Sequence, residues 1–499
     1  MDKPMDTRYE DAGAEVAVQE SAPEGYRYID PVIEKRLVRK TDRVLLSMMF
    51  VCYMLIFLDR SNIGNAQTAG MGKALNLSDA QYQWLLTIFY IPYVLFEWTA
   101  VCWKIVPPHI WGCITAIIWG LSATLQAVTF SWAGMMACRF FLAAAEAGFS
   151  PGVPYLLSFF YKRNELGLRC GIFLSAAPLA TTFAGALAYG ITSGHSALAN
   201  WRLLFLVEGI PSILMGVVLY FMMPDSPDTA KFLTEEEREV ARARGVLQSG
   251  QAGKERLGKE GFSIRSVLST FSQPQTLIMP LMYFSCNVSF ASLPVFLPTI
   301  LTTMNFTSID AQGLTAPPYF LSFIVCIATT YYADRIRQRG LIIVALSILG
   351  GVGYVLLATV HSTAVRYLGV FLAAAGVFPA ISNLLPWVLN NQGTDVKRGV
   401  GIAVLNIGGQ CGPILGTRIF PKAERPFYVK GMSICAAFMF LNALLALCLR
   451  QYFVYKNNQF ERAEAAARQE DSTSVHPEKL EAYNEQTEQE GHVGYRYVL

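Results

Sequence analysis

Asp59 and Arg60 stand side by side in the stretch FLDRSNIGNAQ, directly after the uncharged run VLLSMMFVCYMLIF. An acid in a low-dielectric cavity can exchange a proton in the physiological range. An arginine stays charged and presents a planar donor fork that fits a carboxylate. A site holding both can couple the entry of a proton to the entry of an anion. A second such set occurs in CRFFLAAAEAGFSPGVPYLLSFFY, with Arg139 and Glu146 seven residues apart. A third acid, Glu97, lies in FYIPYVLFEWTAV with Tyr93 one turn before it on the same face. Other chemistry has little support. The five histidines form no HExxH pattern, and no GxSxG stretch or phosphate-binding loop occurs. An enzyme, a metal centre and a bound cofactor are therefore not expected.

These residues need elements to position them, and the composition says which. Of 499 residues, 53% are hydrophobic and 15% charged, where a soluble domain averages about 25% charged. Apolar runs long enough to cross about 30 Å of hydrocarbon recur along the chain. Twelve are expected, near 44–64, 81–102, 111–130, 133–158, 168–191, 202–223, 275–302, 315–333, 341–360, 366–389, 399–420 and 431–452. The ten cysteines fall mostly within these runs and read as small core residues. The net charge of +3 gives no reason to expect a nucleic-acid partner.

The layout implies an all-α polytopic membrane protein with two six-helix bundles. The expected domains are an N-terminal tail over 1–43, a first bundle over 44–223, a central loop over 224–272, a second bundle over 273–452 and a disordered tail over 453–499. In the central loop, Thr234 and Glu237 form a capping box for a short helix, read as a solvated surface helix. Lys and Arg concentrate before span 1 and between spans 4 and 5, 8 and 9, and 10 and 11. That bias puts both termini in the cytoplasm. The sequons at Asn76 and Asn305 then fall in outer loops.

Within span 1, Asp59 lies roughly 21 Å along the helix, past the midplane. Arg60 follows about 100° round, so the two cannot share a face and at least one needs a partner on another helix. An interfacial position with Arg60 reaching headgroups is the competing placement. Arg139 and Glu146 share a face with the small residues Ala143 and Ala147, which allow close helix approach. Their separation of about 10.5 Å along the axis leaves room for something to bind between them; a structural ion pair is the alternative. Glu97 fits a site role or a packing role equally. The second half offers amides and aromatics, among them Tyr283, Asn287, Asn383, Trp387, Asn390 and Asn406. This asymmetry points to proton and anion handling in the first bundle and shape selection in the second.

FLDRSNIGNAQTAGM, RFFLAAAEAGFSPGVPY, FLVEGIPSILMG with PDSPDTAKFLTEEER, and FLPTIL together resemble the major facilitator superfamily. Within it they are similar to the anion:cation symporter group and its fungal allantoate permease branch, which includes carriers of nicotinate, pantothenate, biotin and allantoate. The resemblance implies that Arg60 contacts a substrate carboxylate and matches Arg139 to the fourth-helix arginine. It implies proton coupling through Asp59 and Glu146; as a further intramembrane acid, Glu97 joins them as a candidate for proton coupling. Placement in low-charge spans adds Arg139 to the expected substrate site, and the reading of the spans adds Tyr93, Tyr283 and Asn287. YYADRIRQRG resembles the superfamily's cytoplasmic loop signature, making Asp334, Arg335 and Arg339 an inner gate. The expected activity is proton-coupled symport of a small organic anion by a monomer of the plasma membrane. A metabolite exporter on the same fold is the alternative, and a receptor that binds without transporting is a third reading.

Overall fold

A computed structural model describes residues 30–194, 196–244, 273–304, 306–391, 395–470 and 497–499. Helices dominate it. The first bundle contains α1 (Pro31–Thr68), α2 (Asp79–Ile105), α3 (Pro108–Val128), α4 (Trp132–Leu157), α5 (Glu165–Ser193) and α6 (Asn200–Met222). The second contains α7 (Pro274–Thr302), α8 (Ser308–Ile336), α9 (Gly340–Thr359), α10 (Thr363–Asn390), α11 and α12 (Val429–Glu470). Among the described residues, eleven of these are long and apolar enough to span a bilayer. The twelfth expected span, α11, is broken into Asp395–Gln410 and Gly412–Gly416. Pro413 lacks the N–H that would continue the first segment.

Large apolar side chains such as Phe141, Phe183, Leu214 and Phe221 stay exposed on the outer surface. In lipid that exposure is favourable, so close helix packing has to come from small residues instead. A Cβ on Gly120 would lie 2.7 Å from the Ile213 backbone, which ties α3 to α6. A Cβ on Gly376 would lie 2.3 Å from the Gly350 backbone, which ties α9 to α10.

Three sequence expectations need correction. The N-terminal segment is helical from Pro31 and runs through a π-helical turn at Asp42–Leu46 directly into the first span. The central-loop helix over 235–244 is docked, with Ala230, Leu233, Glu237 and Arg244 buried. Its Thr234–Glu237 capping box forms as expected. Lys40 bonds Glu237 at 2.8 Å, Lys162 bonds Glu34 at 2.5 Å, and Arg244 bonds Glu165. These pairs tie α1, α5 and the loop helix into one charged cluster, which polarity alone could not distinguish from a solvated face. The last helix continues to Glu470, so the chain stays ordered beyond 453, and Tyr497–Leu499 pack against the second bundle. Asn305, and the parts of the two tails and central loop over 1–29, 245–272 and 471–496, lie outside the described residues.

The face carrying this charged cluster is called the basic face below. Asn76, in the turn between α1 and α2, is exposed on the opposite face.

Candidate functional site

A cavity of about 660 Å³ lies between the two bundles. Its walls come from α1, α2, α4 and α5 on one side and α7, α10 and α11 on the other. Its lining reaches the basic-face end at Lys104, Tyr155, Ser158, Phe159, Leu166 and Leu389, which sit at or just beyond the ends of their helices. Local breaks shape that end. Pro92 precedes a change in α2 from α to 3-10 winding at Glu97–Val101. In α4 the same change occurs at Ser150–Gly152, beside Pro151 and Pro154. The indoles of Trp103 and Trp111 both donate to the Gly148 carbonyl at 3.0 Å and hold the bent ends together.

The opposite face is closed by contacts across the bundles. A Cβ on Gly64 of α1 would lie 2.4 Å from the Val295 carbonyl oxygen of α7, so only glycine allows that approach. The Thr87 and Thr417 hydroxyls are 3.0 Å apart, and Arg418 Nε donates to Thr87 at 3.0 Å. Gln312 donates to Thr68 at 3.0 Å and accepts from Thr192 at 3.0 Å. Lys422 pairs with Asp79.

Arg60 reaches the cavity wall from α1. Its Nε and Nη2 donate to Glu146 Oε2 of α4 at 3.2 and 2.8 Å. Its guanidinium carbon lies 4.8 Å from the ring centre of Phe89 and 5.1 Å from that of Tyr93. Stacking between aromatic rings suits the flat, weakly hydrated guanidinium. Nη1 makes no hydrogen bond to the described protein. Glu146 is fully buried, and its Oε1 has no hydrogen-bond partner.

Asp59 points the other way, as the helical offset requires. It accepts from Ser212 of α6 at 2.6 Å, away from the cavity wall. At least one of the two was expected to need a partner on another helix; both have one, Arg60 on α4 and Asp59 on α6. The intervening space expected between Arg139 and Glu146 is not where the structure opens. Arg139 is buried behind the cavity, 5.0 Å from the Phe89 ring centre, and donates to the carbonyls of Leu85 and Arg60. Its long side chain reaches back to α1 and α2, while Glu146 turns to Arg60.

Tyr93, Glu97, Tyr283 and Asn287 all line the cavity. Both Glu97 oxygens are buried without a hydrogen-bond partner. Asn287 donates to the Gly409 carbonyl at 3.2 Å, fixing α7 against α11. Sequence reasoning did not single out Tyr53, Tyr90, Phe290 or Gln410, which also line the cavity. The spacing of Tyr53, Phe57 and Arg60, and of Tyr90, Tyr93 and Glu97, was the available signal: each set forms one helical stripe.

At the basic face Arg339 pairs with Asp334, and a Cβ on Gly167 of α5 would lie 2.7 Å from Arg339 Nη2. Arg335 is exposed. This contact between α5 and the α8–α9 turn lies outside the cavity lining.

The sequence matches the model of the Major Facilitator Superfamily over residues 49–417. The MFS transporter prlL of a fungal species (strain NRRL 50135) is 32% identical over 461 residues, covering 89% of this chain and 92% of that protein. The high-affinity nicotinic acid transporter of Saccharomyces cerevisiae is 29% identical over 425 residues, covering 85% and 78%. The fold is similar to the inward open conformation of the xylose transporter XylE from E. coli, with a TM-score of 0.62 at 15% identity over 81% of this chain and 95% of that one. Two six-helix bundles around a cavity, the family match and relatives that are themselves transporters agree, and the chain is a member of the Major Facilitator Superfamily, a transporter and not an enzyme.

Proposed function

We propose that this transporter carries a small organic anion together with a proton. The observation that carries the reading is the Arg60–Glu146 pair in the cavity wall. While Glu146 is ionised, it occupies two of the donors a substrate carboxylate would use. Protonating Glu146 weakens that pair and frees the Arg60 fork for a carboxylate. Proton binding and anion binding then favour each other, which is the linkage symport needs. Arg139 supports the site from behind Phe89 by holding α1 against α2, and Asp59 with Ser212 is a second proton position away from the wall. Glu97 is a third acid beside the cavity.

The walls favour a flat substrate. Tyr53, Phe57, Tyr90, Tyr93, Tyr283 and Phe290 offer ring faces around the arginine. Nicotinic acid, named for the yeast relative, is a compact aromatic carboxylate of this kind. The basic face is taken as cytoplasmic on the Lys and Arg bias, which puts both termini inside and the open cavity toward the cytoplasm. The plasma membrane is the proposed location and the monomer the proposed working unit.

The test pairs two measurements on Glu146→Gln in proteoliposomes, with nicotinate as the first probe. Gradient-driven accumulation is expected to vanish, while exchange of internal for external substrate persists, because exchange never requires the empty carrier to return. Full accumulation in the variant would refute proton coupling through Glu146.

A further inference from the structure

The N-terminus of α9 has no side-chain cap. The first amides of a helix need acceptors from elsewhere. Here the acceptor comes from far along the chain. Arg339 N and Gly340 N donate to the Leu499 main-chain oxygen at 2.5 and 3.3 Å.

The two residues before Leu499 are held as specifically. Val498 exchanges two hydrogen bonds with the Asn391 side chain, its N–H donating at 2.7 Å and its carbonyl accepting at 3.0 Å. The Val498 carbonyl also accepts from the Trp387 indole at 2.8 Å. Tyr497 exchanges two hydrogen bonds with the Asn457 side chain, both at 2.9 Å. Its ring stacks on Phe453, with centroids 4.6 Å apart and planes within 6°, and lies 6.3 Å from Phe460. Tyr497 is 5% exposed, and Asn391 and Trp387 are fully buried. Two side-chain amides that each read both backbone groups of one residue make a surface for an extended peptide.

We propose that the basic face of the second bundle is a peptide-binding surface whose occupant is this chain's own Tyr497–Leu499 segment, and that the docked segment clamps the basic-face ends of α9, α10 and α12 together. Its position beside the transport machinery gives the clamp a role. Arg339, whose amide it caps, is the residue that pairs with Asp334 and rests on Gly167 of α5. Trp387, which it engages, lies between Leu385 and Leu389, two residues of the cavity wall. Release of the segment orphans the Trp387 indole, the Asn391 amide and two α9 amides at once, and loosens the seat of Arg339 on α5.

Amide hydrogen exchange on the full chain in nanodiscs tests this. In the wild type, the Arg339 and Gly340 amides are expected to exchange at least tenfold slower than their unprotected rates. Tyr497→Ala, at a residue that does not itself line the cavity, is expected to raise exchange there, at Trp387–Asn391 and at Gly167–Cys170 by at least tenfold. Exchange within Ser285–Leu297 of α7 reports global unfolding and is expected to stay unchanged. Unprotected Arg339 and Gly340 amides in the wild type overturn the proposal. So does wild-type protection in Tyr497→Ala.

Discussion

Arg60 is asked to hold a carboxylate with donors that Glu146 partly occupies, so geometry matters more than charge there. Arg60→Lys keeps the charge, loses the fork and cannot span the same partners. Binding of a small carboxylate is expected to weaken at least tenfold, about 1.4 kcal/mol, with calorimetry on purified protein as the check. Binding equal to wild type in both Arg60→Lys and Arg60→Ala would place the site elsewhere. The sequence made Asp59, Arg60, Arg139 and Glu146 conspicuous, because charges are rare in such runs. It could not say which would meet. Arg139 and Glu146 share a helix face, yet the longer side chain crosses behind Phe89 to backbone carbonyls while the shorter one finds Arg60. Side-chain reach settled that, and reach depends on neighbouring helices that spacing along one helix does not reveal.

At the scale of the helices, the seal on the opposite face rests on a glycine. Gly64 admits α7 so closely that one added methyl group would meet the Val295 backbone at 2.4 Å. Gly64→Ala is expected to cost about 1–3 kcal/mol in the state described here, through overpacking against a backbone that cannot rotate away. Because that contact belongs to the closed opposite face, the cost should appear as a shift in population rather than as unfolding. Spin labels at Lys73 and Asp310, both exposed on that face in different bundles, should show a longer distance component in the variant. An unchanged distance distribution would show that the contact does not bias the equilibrium. All twelve helical stretches fall on apolar runs that were expected from run length alone. The break within α11 was not read, although Pro413 and the flanking Gly412 and Gly416 were visible signals. The docking of the 235–244 helix and of the Tyr497–Leu499 segment was not legible. Their attachments are ion pairs and amide contacts to residues distant in sequence, and polar composition reads the same whether a segment is solvated or bound.

For the whole molecule, alternating access requires the links across the opposite face to break. Thr68 and Gln312 join the bundles there through one hydrogen bond. Replacing both with cysteine and joining them with a short reagent should stop transport, and a reducible linker should restore it on cleavage. Continued transport in the fully linked protein would mean that the bundles do not separate at this point. The cavity itself carries one more consequence. At about 30 Å³ per molecule, a space of 660 Å³ holds on the order of twenty waters. Sealing the empty carrier expels part of that water, so the conformational equilibrium becomes an osmometer. Solutes too large to enter the mouth, added on the basic side, draw water out and favour the sealed form, by under about twofold per osmolal for so few molecules. Solutes small enough to enter leave the balance unchanged, so the size at which the effect disappears measures the aperture.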